Sequence, residues 1–156
     1  MNAVQHTTFV IERELPAGPR HAFRFWSDPI LKKQWNDCHP DWTVLEDSFD
    51  FRIEGTEAKR WRMPDGTELT FRANYFDILP GQRIIYGFEM SLGGQRVSAS
   101  MATVELLPAG QLTRMVYTEQ MAYLGDANSM QARIAGTGTG FDKLVEVVAR
   151  EFVAVH

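Results

Sequence analysis

One cysteine, Cys38, is all that the 156 residues contain, so an internal disulfide is excluded and a reducing compartment fits the composition. No run of about eighteen apolar residues occurs, which argues against a membrane-spanning helix and against a membrane partner. Lys/Arg-rich blocks are also missing. With a net charge of -4 and a pI near 5.5, the chain lacks the basic stripe that nucleic-acid binding usually requires. Met1 to Thr8 has neither the basic region nor the apolar core of a secretory leader, so a cytoplasmic location is expected. Repeats, linkers and low-complexity tracts are absent, and residues 1–156 read as one domain that buries roughly two-thirds of its unfolded surface.

Motifs for metal, nucleophile and phosphate chemistry are equally scarce. Asp37, Cys38, His39 and Asp41 crowd four potential ligands into one segment, but metal sites draw ligands from separated segments and neighbouring side chains point apart. The same adjacency disfavours a Cys38–His39 dyad, so the segment reads as a polar loop. Gly136-Thr137-Gly138-Thr139-Gly140 has the glycine content of a phosphate loop. The third glycine of G-x-G-x-x-G would fall on Phe141, however, no Gly-Lys-Ser/Thr follows, and no parallel βαβ unit surrounds it. Neither a metal nor a cofactor is expected.

What is present begins with a long amphipathic helix at the C-terminus. Phe141, Leu144, Val145, Val148, Phe152 and Val155 recur every three or four residues, opposite Asp142, Lys143, Glu146, Arg150 and Glu151. Such a helix needs a surface on which to bury its apolar stripe. The preceding chain supplies strands: Thr8 to Leu15, then Thr43 to Glu46, Phe49 to Glu54, Glu57 to Met63, Glu68 to Ile78, Arg83 to Met90, Ser98 to Leu107 and Leu112 to Tyr123. Gly55, Pro64-Asp65-Gly66, Pro80-Gly81, Gly93-Gly94 and Pro108-Ala109-Gly110 separate them, and short links make antiparallel neighbours. Between the first two strands lie two short helices, one starting at Pro19 and one running from Pro29 to Trp35 with Asp28 as N-cap. A further helix is expected from a cap at Asn128 or Ser129, continuing loosely through Gly136, Gly138 and Gly140. Glycines on its sheet-facing side would allow close approach or leave space beneath it.

Strand alternation assigns Leu69, Phe71, Ala73 and Tyr75, with Ile84, Tyr86, Phe88 and Met90, to the face that meets the long helix. Ala102, Val104 and Leu106, then Met115, Tyr117, Glu119 and Met121, belong to the same face. Trp26, Trp35, Trp61, Phe71, Tyr86, Phe88, Met90, Tyr117 and Met121 are therefore candidates to line an apolar cavity, the alternative being that they fill the core. Tyr86 and Tyr117 are singled out because a buried phenol needs a polar partner. Glu119 points inward, and Glu57, which shares the parity of Trp61, approaches the same space. The pair could act as general acid and base. The favoured reading instead gives Glu119 an arginine partner such as Arg60 or Arg62, or places it at the wet end of its strand.

Pro19-x-x-Ala22-Phe23-x-x-Trp26-Ser27-Asp28-Pro29 followed by Trp35 resembles the N-terminal signature of the family related to the C-terminal domain of the activator of Hsp90 ATPase. Pro64-Asp65-Gly66-Thr67, Pro80-Gly81-Gln82-Arg83-Ile84, Tyr86-x-x-Glu89-Met90, Thr118-Glu119-Gln120 and the last helix extend the resemblance from about Thr8 to Phe152. It implies an α+β helix-grip, or Bet v 1-like, fold. In that fold a curved antiparallel sheet of six to seven strands wraps a long C-terminal helix, with two short helices after the first strand. The resemblance also implies a cavity for a hydrophobic or amphipathic small molecule, as in the related START and polyketide-cyclase domains. A cyclase- or hydrolase-type enzyme using that cavity is the alternative, with Glu119 as the candidate acid or base. A chaperone-interacting module is disfavoured, and a homodimer is left open. Asp37-Cys38-His39-Pro40 is more polar than the usual stretch, and Met121 stands where many relatives have glycine, where it is expected to narrow the pocket mouth.

Overall fold

A computed structural model describes residues 3–37 and 39–155, without the side chains of 152–155. Cys38 and the Phe152 and Val155 end of the helical stripe thus lie outside the described side chains. The elements are β1 (Gln5–Leu15), α1 (Pro19–Ser27), α2 (Pro29–Trp35), β2 (Thr43–Phe49), β3 (Thr56–Arg62), β4 (Glu68–Leu79), β5 (Arg83–Leu92), β6 (Gln95–Ala109), β7 (Leu112–Tyr123) and α3 (Ala127–Val155). The seven strands form one antiparallel sheet in the order β1-β7-β6-β5-β4-β3-β2. This is the helix-grip arrangement that the sequence suggests.

β1 and β2 occupy opposite edges, so the chain must cross the width of the sheet between them. α1 and α2 make that crossing. Pro19 takes the first position of α1, and Ala22, Phe23, Phe25 and Trp26 are buried. Asp28 serves both helices: its N–H caps α1 on the Arg24 carbonyl, and its carboxylate accepts the Ile30 and Leu31 N–H groups that open α2. The Trp35 indole N–H donates to the Phe25 carbonyl at 2.8 Å, which locks one short helix onto the other. Neither helix is long enough to hold in isolation, and burial of these side chains is what stabilises both.

α3 covers the remaining concave surface through Phe141, Leu144, Val147 and Val148, all buried. Phe141 joins the layers: its ring centroid is 4.8 Å from Tyr117 on β7 and 6.0 Å from both Trp26 and Trp35. The glycines do not break α3, which is helical throughout residues 127–155. Its start is fixed by Asp126, whose carboxylate accepts the Asn128 N–H and whose carbonyl accepts the Ser129 hydroxyl, rather than by Asn128 or Ser129 as cap. The Ser129 hydroxyl also meets the Tyr123 phenol.

One expected strand is replaced by a turn. Phe49 to Glu54 does not form a separate strand; β2 ends at Phe49, and the chain turns through Glu54 at φ 71°. Gly55 permits this, since a Cβ there would stand 2.1 Å from the Asp50 carbonyl oxygen. The β5–β6 link is the tight turn expected: Gly93 and Gly94 have φ of 60° and 81°, the two positive values a type I′ hairpin needs.

Candidate functional site

The concave residues do not fill the space between sheet and helices. A cavity of about 490 Å³ remains, with Trp26, Trp35 and Phe141 at its helical side and Trp61, Leu69, Phe71, Tyr86, Phe88 and Met90 on the sheet. Asn36, Asp37, His39 and Trp42 from the α2–β2 connection line it as well, so the polar loop of the sequence reading borders the site. His39 and Asp41 interact with each other there, the ring Nδ1 accepting the Asp41 N–H at 3.1 Å.

α3 contributes the unusual wall. Ala132, Gly136 and Gly140 recur every four residues and so form one bare stripe, flanked by Arg133, Thr137 and Phe141. A Cβ built at Gly136 or Gly140 would meet no atom within 4 Å. Gly138 is different: a Cβ there would sit 3.4 Å from an Arg13 guanidinium nitrogen and 3.9 Å from Ile11 Cδ1 on β1. Gly136 and Gly140 therefore fill the anticipated role of leaving space, while Gly138 faces β1 at a distance where a Cβ would just make contact.

Glu119 projects inward from β7 and is fully buried. Its Oε1 accepts the Tyr117 hydroxyl at 2.6 Å, and its Oε2 accepts the Ser100 hydroxyl and an Arg133 guanidinium N–H, both at 2.7 Å. Arg133 is a further part of the wall, with its guanidinium 5.6 Å from the centre of the Phe88 ring. The expected ion pair exists, but its cation comes from α3. Arg60 and Arg62 have the opposite parity to Glu57 and Trp61, and Arg60 pairs with Glu68 at 2.9 Å instead.

Glu57 heads a second buried cluster. Lys32 Nζ donates to its Oε1 at 2.7 Å, the Tyr75 hydroxyl donates to the same oxygen at 2.8 Å, and Lys59 Nζ is 3.9 Å from Oε2. Burial lowers the Lys32 pKa, against the raising influence of Glu57. The tyrosines move the other way: burial, then nearby carboxylates or phenols, raises the pKa of Tyr75, Tyr86 and Tyr117. Glu57 is the foremost charge acting on Tyr75, Glu119 on Tyr86, and both Tyr86 and Glu119 act on Tyr117.

Of the residues singled out in the sequence, Trp26, Trp35, Trp61, Phe71, Tyr86, Phe88, Met90, Tyr117 and Glu119 are brought together around the cavity. Glu57 stands behind the wall, reached through Lys32 and Lys59. Met121 does not line the mouth. It lies two residues, roughly 7 Å, farther along β7 than Glu119, and it borders a separate shallow depression with Thr7, Ser100 and Gln120. Arg133, Lys32, Lys59 and Trp42 were not among the candidates. Arg133 carried a signal, since stepping back by fours along the helix from Phe141 reaches Thr137 and then Arg133.

Arg133→Met is expected to destabilise the protein by about 3 kcal/mol, because it leaves a buried carboxylate without its cation. Adding Glu119→Gln to that variant should recover part of the loss. Urea unfolding of the single and double variants checks this, and additive losses would contradict the pairing.

The chain matches the family described as activator of Hsp90 ATPase homolog 1-like protein over residues 16–149. It is similar to a solved protein from Rhizobium leguminosarum at 42% identity, covering 95% of this chain and 97% of that one with a TM-score of 0.88. A protein from Rhizobium loti aligns at 37% identity, over 94% of this chain and 99% of that one, with a TM-score of 0.85. A third, from Chromobacterium violaceum, shares the fold at a TM-score of 0.73 but only 22% identity, over 90% and 96% of the two chains. No protein with a curated description matches. Because the family match spans the helices, the sheet and most of α3, the chain belongs to the activator of Hsp90 ATPase homolog 1-like family.

Proposed function

We propose that this protein binds a hydrophobic or amphipathic small molecule in the cavity between sheet and α3. The observation that carries the reading is the bare stripe of Ala132, Gly136 and Gly140 opposite an aromatic wall, within a cavity of about 490 Å³. That volume lies in the range of small-molecule sites. A helix that needed only to pack on the sheet would gain from larger side chains at Gly136 and Gly140, where there is room for them.

The apolar walls supply most of the affinity and a few polar groups the orientation. Two donors in the wall, Trp26 Nε1–H and Arg133 Nε–H, are buried without a partner among the described residues, and an acceptor on the ligand would satisfy them. Tyr86, Tyr117 and Glu119 all border the cavity, and the last two engage each other. The enzymatic alternative gains less from this geometry. Glu119 already accepts three hydrogen bonds, and Glu57 is tied to Lys32 and Tyr75, so neither carboxylate faces a substrate unencumbered.

All four tryptophans line the cavity, which makes intrinsic fluorescence a direct reporter. Titration with fatty acids, sterols, flavonoids and small aromatic amphiphiles should give a saturable change from at least one class. At a hundred times its dissociation constant, such a ligand should stabilise the fold by about 2.7 kcal/mol in a parallel thermal-shift measurement. Flat fluorescence and an unmoved melting temperature across every class would refute the proposal.

A further inference from the structure

The charges around the cavity are unevenly matched. Three cationic side chains line it from buried or nearly buried positions: Lys32 and Lys59, which are 6% and 5% exposed, and Arg133. The buried carboxylates that answer them are Glu57 at 1% exposure and Glu119 at 0%. Arg133 and Glu119 compensate one another at 2.7 Å, which leaves Glu57 to be shared by two lysines.

That sharing is unequal. The Lys32 ammonium donates to Glu57 at 2.7 Å and to the Tyr75 hydroxyl at 3.2 Å, and it lies 4.7 Å from the centre of the Phe49 ring. It is enclosed by groups that do not border the cavity. Lys59 reaches Glu57 only at 3.9 Å, beyond hydrogen-bonding distance, and its hydrogen bond goes to the Asn36 carbonyl at 3.1 Å. The more weakly matched charge is therefore Lys59, beside the cavity residues Asn36 and Trp61. Asp37 also lines this region, but it is exposed, where water weakens its field. Among the described residues the buried Lys59 ammonium has one hydrogen-bond acceptor and only a distant carboxylate, a setting that favours an anionic occupant and penalises a cationic one.

We infer that the cavity takes an organic anion, an aliphatic or aromatic carboxylate, whose carboxylate meets Lys59 while its apolar body lies between the bare stripe of α3 and the aromatic wall. The inference rests on the binding function proposed above and adds the charge of the ligand and the residue that recognises it. A second anion at Arg133 would face the Glu119 carboxylate, so that end of the cavity suits a neutral acceptor. The head group belongs at Lys59.

The test uses matched probes: decanoate and 4-phenylbutyrate, each with its methyl ester and with the amine of equal length, followed by tryptophan fluorescence. Native protein should bind each acid about tenfold or more tightly than its ester, a difference of about 1.4 kcal/mol, and the amine least. Lys59→Met and Lys59→Gln should each bring acid and ester to similar affinity, while Lys59→Arg keeps the preference. Esters that bind native protein as tightly as the acids would overturn the charge assignment and leave the cavity-binding function standing. So would an acid preference that survives both neutral substitutions. If no acid, ester or amine binds, the inference is overturned, and the function on which it rests is decided separately by the wider ligand series above. The native series needs no variant, so a poorly folding substitution leaves it decisive.

Discussion

Replacing Gly136 by leucine is expected to weaken ligand uptake by about 10- to 100-fold while leaving the fold as stable as before or more so. The two halves of this result have separate causes. Glycine inside a helix costs about 1 kcal/mol relative to alanine, and leucine is nearly as good a helix former as alanine. The new side chain meets no atom within 4 Å at its Cβ, so it enters open space rather than a neighbour. That open space is the cavity, and a ligand must then overlap or displace the leucine at the cost of an overpacked contact, about 1–3 kcal/mol. Gly138→Leu supplies the contrast. There the side chain is driven against Arg13 and Ile11, and the expected loss is in stability. Native-like affinity in a stable Gly136→Leu protein would show that the ligand binds elsewhere.

The fold was largely legible because its signals are local. Asp28-Pro29 specifies the stop of α1 and the start of α2 in two residues, and Gly93-Gly94 specifies a hairpin. Period-two alternation placed Phe71, Tyr86, Phe88, Tyr117 and Glu119 on the face that lines the cavity. What escaped the sequence is pairing between distant segments. Glu119 and Arg133 lie on successive elements, yet nothing local says that the arginine turns back onto the sheet instead of outward to water. Lys59 lies between Glu57 and Trp61 at the same parity, so alternation does place it inward. The usual preference of lysine for solvent speaks against that position, and its burial is offset by Glu57, the Asn36 carbonyl and the Trp61 ring, partners that the fold supplies. Phe49 to Glu54 failed for a different reason. Its apolar content suits a strand, but Glu54 takes a left-handed conformation imposed by the cramped turn at Gly55.

Stability in alkali should begin to fall as soon as tyrosine ionises in the unfolded chain, and the fall should be steep. Tyr75, Tyr86 and Tyr117 all have pKa values raised by burial and by neighbouring carboxylates or phenols. Each therefore keeps its proton in the folded state at a pH where the unfolded state releases it, near the ordinary value of about 10. Stability from these groups is complete below about pH 10 and falls as pH rises toward their folded values. Between those limits each tyrosine costs RT ln(1 + 10^(pH − 10)), or about 1.4 kcal/mol at pH 11, so the three together remove about 4 kcal/mol. That is a large share of the 5–15 kcal/mol typical of a domain. Lys32 does not offset the loss. Its folded pKa is lowered, so its effect is a gain in stability with rising pH that is complete by about pH 10.4, the ordinary lysine value. Phenolate absorbance from the three tyrosines should consequently appear together with loss of the near-ultraviolet circular dichroism, in one cooperative step above pH 10. Tyr86→Phe should reduce the loss at pH 11 by about a third, or about 1.4 kcal/mol. Phenolates forming near pH 10 with the aromatic dichroism intact would mean that these hydroxyls are in contact with water. The two buried polar clusters, Tyr117 with Glu119 at the cavity wall and Tyr75 with Glu57 behind it, would then be open to solvent.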